Sequence, residues 1–211
     1  VKQLTELNGT GVSQGNVITT PAGHIHPQYL VERIGDFLPR DAIFVVDGHE
    51  TLEFARRAIS SFSVGGYLGT GPNGCMGVGV PMSIGAKVAC PDRPVICFMG
   101  DGAFGWNGME YDTAVRHNIP FAGIIGNNAG FTARPTAGQG AGRELGFQRY
   151  DKVVEALGGY GELVTKPDEI RPALDRALAS NRPALINVQI DPDVPASGGL
   201  LGALGSKQAT K

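Results

Sequence analysis

The 211-residue chain is long enough to bury the core of one sizeable α/β domain. Its formal net charge is −2 and it has no basic stripe, so nucleic acid is not an expected partner. A bound polyanion would have to be held by local groups, such as backbone N–H donors or a metal, and no apolar run approaches the ~18 residues that would suggest a membrane span.

Hydrophobic residues make up 42% and charged residues 18%, an ordinary globular mix. The 32 glycines are about twice the usual share and mark places where the backbone turns tightly or approaches a ligand closely. Cys75, Cys90 and Cys97 show no C-x-x-C spacing and are odd in number, which reads as free buried thiols in a reducing, cytoplasmic compartment. No basic-then-apolar leader opens the chain. A start at Val1 rather than Met reads as a processed subunit or a piece of something longer.

Residues 1–26 are rich in Gly, Ser and Thr and read as an arm or linker, with His24 and His26 expected to be surface histidines rather than a metal pair. A domain is expected over 27–192. Pro27 suits a first helical position, and Tyr29, Leu30, Ile34, Phe37 and Leu38 form an apolar stripe at helical spacing before Pro39. "AIFVVD" (42–47) reads as a buried parallel strand. Residues 71–94 read as a Gly-rich turn feeding a small-residue helix, and "VICFMG" (95–100) as the next strand. A helix is expected from Asn107 to His117, with Asn107 as its cap, followed by a strand at 120–126. Residues 129–149 form a loop unusually long for a compact domain, a candidate lid. "YDKVVEALGG" reads as a helix ended by glycine, "ELVT" as a strand, "KPDEIRPALDRALASNRP" as an amphipathic helix and "ALINVQID" as a final strand. Residues 193–211 form a small-residue tail, a possible lid.

Alternating strands and helices predict an α/β fold of three αβα layers around a parallel sheet of about six strands. Ligands in such sheets sit outside the carboxyl ends of the strands. Asp47, Gly100-Asp101-Gly102 and Asn127-Asn128 all fall there. In "GDG" the glycines let the backbone turn and thrust Asp101 to the ligand edge, while Asn128 arrives at the edge of the following strand. A carboxylate, an amide oxygen and a nearby carbonyl make a hard oxygen site with few protein ligands, which suits Mg²⁺ completed by phosphate oxygens and water. The backbone N–H groups that follow Gly102, including that of Ala103, are expected to face an anion. The plainer reading is a buried Asp capping a turn and an Asn in an Asx-turn.

Gly-Asp-Gly, some two dozen residues, then Asn-Asn resembles the signature of thiamine diphosphate enzymes. The resemblance implies Mg²⁺ ligands at Asp101, Asn128 and the carbonyl of Gly130, with Gly100, Gly102, Ala103 and Phe131 beside the cofactor. "GCMGVGVPMSIGA" (74–86) is similar to the G-x-M-G-x-x-x-P-x-x-I-G-A stretch of acetolactate-synthase-like members. By that likeness Met76 is the apolar wedge that bends the cofactor, and Gly74 offers its carbonyl to the pyrimidine amino group; the plainer reading of Met76 is a gap-filling core residue.

Residues from about 71 to 198 look most like oxalyl-CoA decarboxylases and 2-hydroxyacyl-CoA lyases, with a weaker likeness over 27–70. Both activities release formyl-CoA. The decarboxylases carry "NNGGIY" after the metal asparagine, whereas this chain reads Asn-Asn-Ala-Gly-Phe-Thr, placing Thr132 where an active-site tyrosine would stand. A threonine hydroxyl does not have the same reach, which favours a lyase giving an aldehyde or ketone plus formyl-CoA. Ser197 is a candidate for a tail serine that closes over the substrate; a serine in a Gly-rich tail is otherwise solvated. His49 and Glu50 could lie against the diphosphate or substrate, His49 as acid or base, with a surface histidine as the alternative. Arg134 and Arg143 read as solvated charges that could also meet CoA phosphates.

The resemblance also implies what is missing. The glutamate that contacts the pyrimidine belongs to a separate domain, and a middle domain would hold most of CoA. The chain is therefore expected to be inactive alone and to pair with a second polypeptide carrying those domains, in a dimer of such pairs. The alternatives are an acetolactate-synthase-like enzyme or simple 2-oxoacid decarboxylase, and a non-catalytic cofactor-binding assembly subunit. A nicotinamide enzyme is remote, because no G-x-G-x-x-G follows the first strand.

Overall fold

The computed structural model describes residues 18–133 and 142–196. Helix α1 (Pro27–Phe37) opens with Pro27 at its first position and buries Leu30, Ile34 and Phe37 of the expected stripe together with Val31, while Tyr29 and Leu38 are only half-buried. His26 is buried rather than on the surface: it caps α1, its ring Nδ1 accepting the Gln28 N–H at 3.1 Å. His24 stacks on Phe147. Ile25 is fully buried and bridges to Ile190, so residues 18–26 lie against this domain.

Strand β1 (Ile43–Asp47) leads through Gly48 into α2 (His49–Ala58), which the sequence reading left unassigned. Strand β2 (Tyr67–Gly69) was also unassigned, because three half-buried residues at a sheet edge are too few to show a pattern. Helix α3 (Gly79–Ala89) and β3 (Val95–Gly100) follow. Helix α4 (Asp101–Asn107) starts directly at the end of β3, continues through a 3₁₀ turn (Gly108–Glu110) and passes into α5 (Tyr111–Arg116). The expected cap at Asn107 is therefore not one: its side chain instead donates to the Gly77 carbonyl at 2.8 Å. The helix begins six residues earlier because Gly100 is extended and Asp101 turns into it, accepting the Gly102 N–H at 2.8 Å.

Strand β4 (Ala122–Asn127), α6 (Tyr150–Ala156), β5 (Tyr160–Val164), a 3₁₀ turn (Pro167–Glu169), α7 (Ile170–Ala179) and β6 (Ala184–Gln189) complete the described chain. The six strands form one sheet in the order β2-β1-β3-β4-β6-β5, and every pair is parallel. Side chains of β3 alternate between two cores. Ile96 and Phe98 join α1, α2 and α7 on one face. Val95, Cys97 and Met99 join Val80 of α3, Phe104, Tyr111 and Val154 of α6 on the other. Both faces are thus covered, the three-layer arrangement a parallel sheet requires. From β1 the chain goes first to one side, forming β2, and later to the other, forming β3. The sheet's topological switch point therefore lies between β1 and β3, where a ligand crevice is expected.

Candidate active site

A cleft opens at that switch point. It is lined by Gly48, His49 and Glu50 after β1, by Gly100, Asp101, Gly102 and Ala103 after β3, by Asn128, Gly130 and Phe131 after β4, and by Met76. Ten of the thirteen candidate site residues named from sequence therefore meet in one place, Gly74, Thr132 and Ser197 being the exceptions. Gly74 does not line the cleft; it sits exposed in the turn two residues before Met76, with φ +62°. Thr132 is half-buried beside the cleft, and its hydroxyl is buried without a hydrogen-bond partner among the described residues. Ser197 and Arg134 lie outside the described residues.

Asp101 is 1% exposed at the start of α4. Its Oδ1 accepts the Gly102 N–H at 2.8 Å and its Oδ2 the Gly130 N–H at 2.9 Å. Burial pushes its carboxyl up to about 7, although the N–H groups of Gly102 and Gly130 oppose the shift.

The Asn128 amide oxygen faces two other oxygens, Asp101 Oδ1 at 3.3 Å and the Gly130 carbonyl at 2.7 Å, while turning the amide over would make both contacts hydrogen bonds. With its NH2 turned toward them the amide donates to both, and turned the other way its oxygen would join the two as ligands of a cation. Adjacent ligands of an octahedral Mg²⁺ with 2.0–2.1 Å bonds are about 2.9 Å apart, and the two separations bracket that value. Among the described residues no group of three or more His, Cys, Asp or Glu side chains could hold a metal ion. One carboxylate, one amide oxygen and one carbonyl, completed by phosphate and water oxygens, is the donor set Mg²⁺ uses, so these residues fit the ion.

Local structure explains how the asparagine arrives there. Asn127 is fully buried at the end of β4. Its Oδ1 accepts the Ala129 N–H at 3.1 Å, and its amide donates to Asn187 Oδ1 at 3.0 Å and the Gln148 carbonyl at 3.2 Å. Asn187 in turn donates to Asp151, which Arg149 grips through two nitrogens. Ala129 takes the left-handed conformation at φ +61°, which turns the chain back. The segment then pairs with residues further along the loop: Phe131 N–H donates to the Arg143 carbonyl at 3.0 Å and Leu145 N–H to that of Ala129 at 2.8 Å. The first Asn of the pair is thus structural, and the second faces the cleft.

Asp47 also shapes the cleft. It is 1% exposed, and its carboxylate accepts the N–H groups of Gly77 at 3.3 Å and Gly79 at 2.7 Å. Burial pushes its carboxyl up, against those N–H groups. Gly79 has to be glycine, because a Cβ there would lie 2.9 Å from Asp47 Cβ. With Asn107 holding the Gly77 carbonyl, the turn is fixed from two sides, and it presents Met76, 39% exposed, to the cleft.

His49 is exposed at the start of α2, and Glu50 beside it is half-buried. Glu50 Oε2 accepts the Ala133 N–H at 3.1 Å, and burial pushes this carboxyl up, opposed by that N–H and by His49. Sequence reasoning missed this contact, the Asp47 clamp and the role of Asn127. Asp47, Glu50 and Asn127 all carried a signal in their places at or just after strand ends, but nothing in the sequence marked the partners they hold.

No helix among the described residues is long and apolar enough to cross a membrane. Residues 50–188 match the family model of the thiamine pyrophosphate enzyme C-terminal TPP binding domain, TPP being thiamine diphosphate. The chain is 46% identical over 176 residues to a probable acetolactate synthase of Mycobacterium bovis, covering 81% of the chain and 32% of that protein. It is 38% identical over 175 residues to an oxalyl-CoA decarboxylase of Escherichia coli K12, covering 80% and 31%. It is 37% identical over 179 residues to a 2-hydroxyacyl-CoA lyase 2 of Caenorhabditis elegans, covering 80% and 28%. The solved thiamine diphosphate-dependent 4-hydroxybenzoylformate decarboxylase of Rhodococcus jostii RHA1 superposes with a TM-score of 0.74 at 26% identity, covering 83% of this chain and 34% of that one. The chain spans about a third of the length of these relatives. With the cleft at the strand ends and the match over residues 50–188, the chain belongs to the thiamine pyrophosphate enzymes and carries their C-terminal TPP-binding domain.

Proposed function

We propose that this chain is the diphosphate- and Mg²⁺-holding part of a carbon–carbon lyase that cleaves the C1–C2 bond of a 2-hydroxyacyl-CoA to an aldehyde or ketone plus formyl-CoA. The observation that carries the cofactor reading is the convergence of Asp101 Oδ1 and the Gly130 carbonyl on the Asn128 side-chain amide. Asp101, Asn128 and the Gly130 carbonyl would hold the ion, and the ion would hold the diphosphate. The positive charge would draw Asp101 back into its ionised form, reversing the effect of burial. Gly102 and Ala103 give the diphosphate close backbone approach, and a Cβ on Gly102 would lie 2.6 Å from the Phe131 ring. Met76 would wedge the cofactor's two rings apart.

When bound, thiamine diphosphate supplies a nucleophilic carbon and an electron sink. The protein orients it and excludes water around it. In this reading the pyrimidine-contacting glutamate and most of the CoA site come from another domain or a partner polypeptide, with such pairs assembling as dimers. His49 and Ser197 remain candidates for contact with the acyl substrate. Support for a lyase over a decarboxylase comes from Thr132, a short side chain whose hydroxyl has no partner among the described residues, at the position discussed above.

A second reading, an acetolactate synthase, is favoured by the 46% identity to the M. bovis protein. The test offers the full-length protein or complex a 2-hydroxyacyl-CoA in one arm and pyruvate in another. Formyl-CoA and an aldehyde are expected. Acetolactate from pyruvate without any CoA thioester would overturn the lyase reading. Replacement of Asp101 by Ala is expected to abolish Mg²⁺-dependent thiamine diphosphate uptake, and normal uptake would overturn the site itself.

A further inference from the structure

We propose that Glu50 is a positioning residue that sets the metal-facing loop through the backbone N–H of Ala133; this rests on the reading of the cleft as a metal–diphosphate site. The four residues Gly130–Ala133 are pinned at both ends by carboxylates arriving from different strands. Asp101, after β3, takes the Gly130 N–H at 2.9 Å. Glu50, after β1, takes the Ala133 N–H at 3.1 Å across eighty-three positions of sequence.

Between the pins lie Phe131, whose ring packs over Gly102, and Thr132. The Gly130 carbonyl, which converges with Asp101 Oδ1 on the Asn128 side-chain amide, belongs to the same segment. Its direction therefore depends on where the far end is held. Glu50 is itself held firmly, because α2 is tied to β1: Thr51 Oγ1 donates to the Asp47 carbonyl, and the chain enters the helix through Gly48 at φ +95°.

The site needs an acceptor at Glu50 rather than a charge. A full negative charge in a cleft built for diphosphate is unfavourable, and a half-buried carboxylate costs solvation. An N–H bond to the side chain offsets that cost whether the group is an ionised acid or a neutral amide. A carboxylate placed there only to fold the loop would affect stability and leave metal-dependent binding alone. One placed to set Gly130 affects metal and cofactor affinity together.

The experiment uses the full-length protein or complex containing this chain. Calorimetry measures thiamine diphosphate binding across a Mg²⁺ titration, and hydrogen–deuterium exchange follows residues 130–133. Removing the acceptor while leaving its buried N–H partner in place is the costly change, so Glu50→Ala is expected to weaken Mg²⁺-dependent binding by roughly 10- to 100-fold. It is also expected to speed amide exchange over 130–133. Glu50→Gln, which keeps an acceptor at the same reach, is expected to stay within about threefold of wild type on the same scale. Unchanged binding in Glu50→Ala, or a Glu50→Gln as impaired as Glu50→Ala, would overturn the proposal. Should Glu50→Ala fail to fold, impaired binding by Glu50→Gln alone would also overturn it. An Asp101→Ala control separates the two levels. Binding that survives in that variant sinks the metal-site reading, whereas binding lost there and normal in Glu50→Ala sinks only the role given to Glu50.

Discussion

Asp47 at the end of β1 holds the N–H of Gly79 at 2.7 Å, thirty-two residues further along the chain. This one carboxylate ties the turn that carries Met76 to the strand beside the cleft. Replacing it with alanine leaves two buried N–H groups without their acceptor. Such groups cost about 1–3 kcal/mol. At ~2–4 °C per kcal/mol for a chain of this size, Asp47→Ala should lower the melting temperature by roughly 5–10 °C, read by calorimetry. Cofactor affinity should fall with it, because Met76 is no longer held. A melting curve matching wild type would show that the clamp contributes nothing.

Asn128 should behave in the opposite way. In the metal-free chain its amide, turned over, donates to Asp101 Oδ1 at 3.3 Å and to the Gly130 carbonyl at 2.7 Å, so it gains one good hydrogen bond and one long one. Asn128→Ala should therefore change the stability of the metal-free chain by no more than about 1 kcal/mol. Its Mg²⁺ affinity should nevertheless drop by an order of magnitude or more, since one of three protein oxygens is gone. Parallel thermal melts with and without Mg²⁺ and thiamine diphosphate check both halves.

Ala129 sits at φ +61°, a conformation that costs an L-residue roughly 1–2 kcal/mol. Glycine adopts it freely and loses part of that gain to chain entropy. Ala129→Gly should therefore raise stability by about 0.5–1 kcal/mol. A denaturant titration that shows a loss instead would mean the alanine methyl packs usefully here.

The acid limb of stability should depend on Asp151. Burial raises its pKa, but the Arg149 pair and the Asn187 hydrogen bond outweigh that and hold its carboxyl below the usual carboxylate range. A depressed folded-state pKa adds stability that is fully present above the unfolded value and is lost as pH falls through the folded one. Asp151→Asn should be less stable than wild type at pH 7, and the difference should shrink as pH drops below about 4. Melting temperatures of both proteins from pH 7 to pH 3 measure the convergence.

The sequence by itself determined most of the architecture and the pair Asp101 and Asn128 at the cleft. The alternation of β-branched runs with amphipathic helices specified a parallel sheet covered on both faces, because each strand's burial pattern is written locally. Gly100-Asp101-Gly102 and Asn127-Asn128 were legible for the same reason: a glycine turn and a strand end announce themselves within a few residues. The start of α4 was misplaced, because β3 ends at Gly100 and the helix opens at Asp101, with no residue between them to mark the boundary. Tertiary structure alone decided which partners these side chains hold. Asp47 finds Gly79, Glu50 finds Ala133 and Asn127 finds Asn187 across distances in sequence that leave no periodic trace. Each bond joins a side chain to a partner, most often a backbone N–H, and any residue but proline offers that N–H, so the partner is chosen by where the folded chain passes and not by its amino acid.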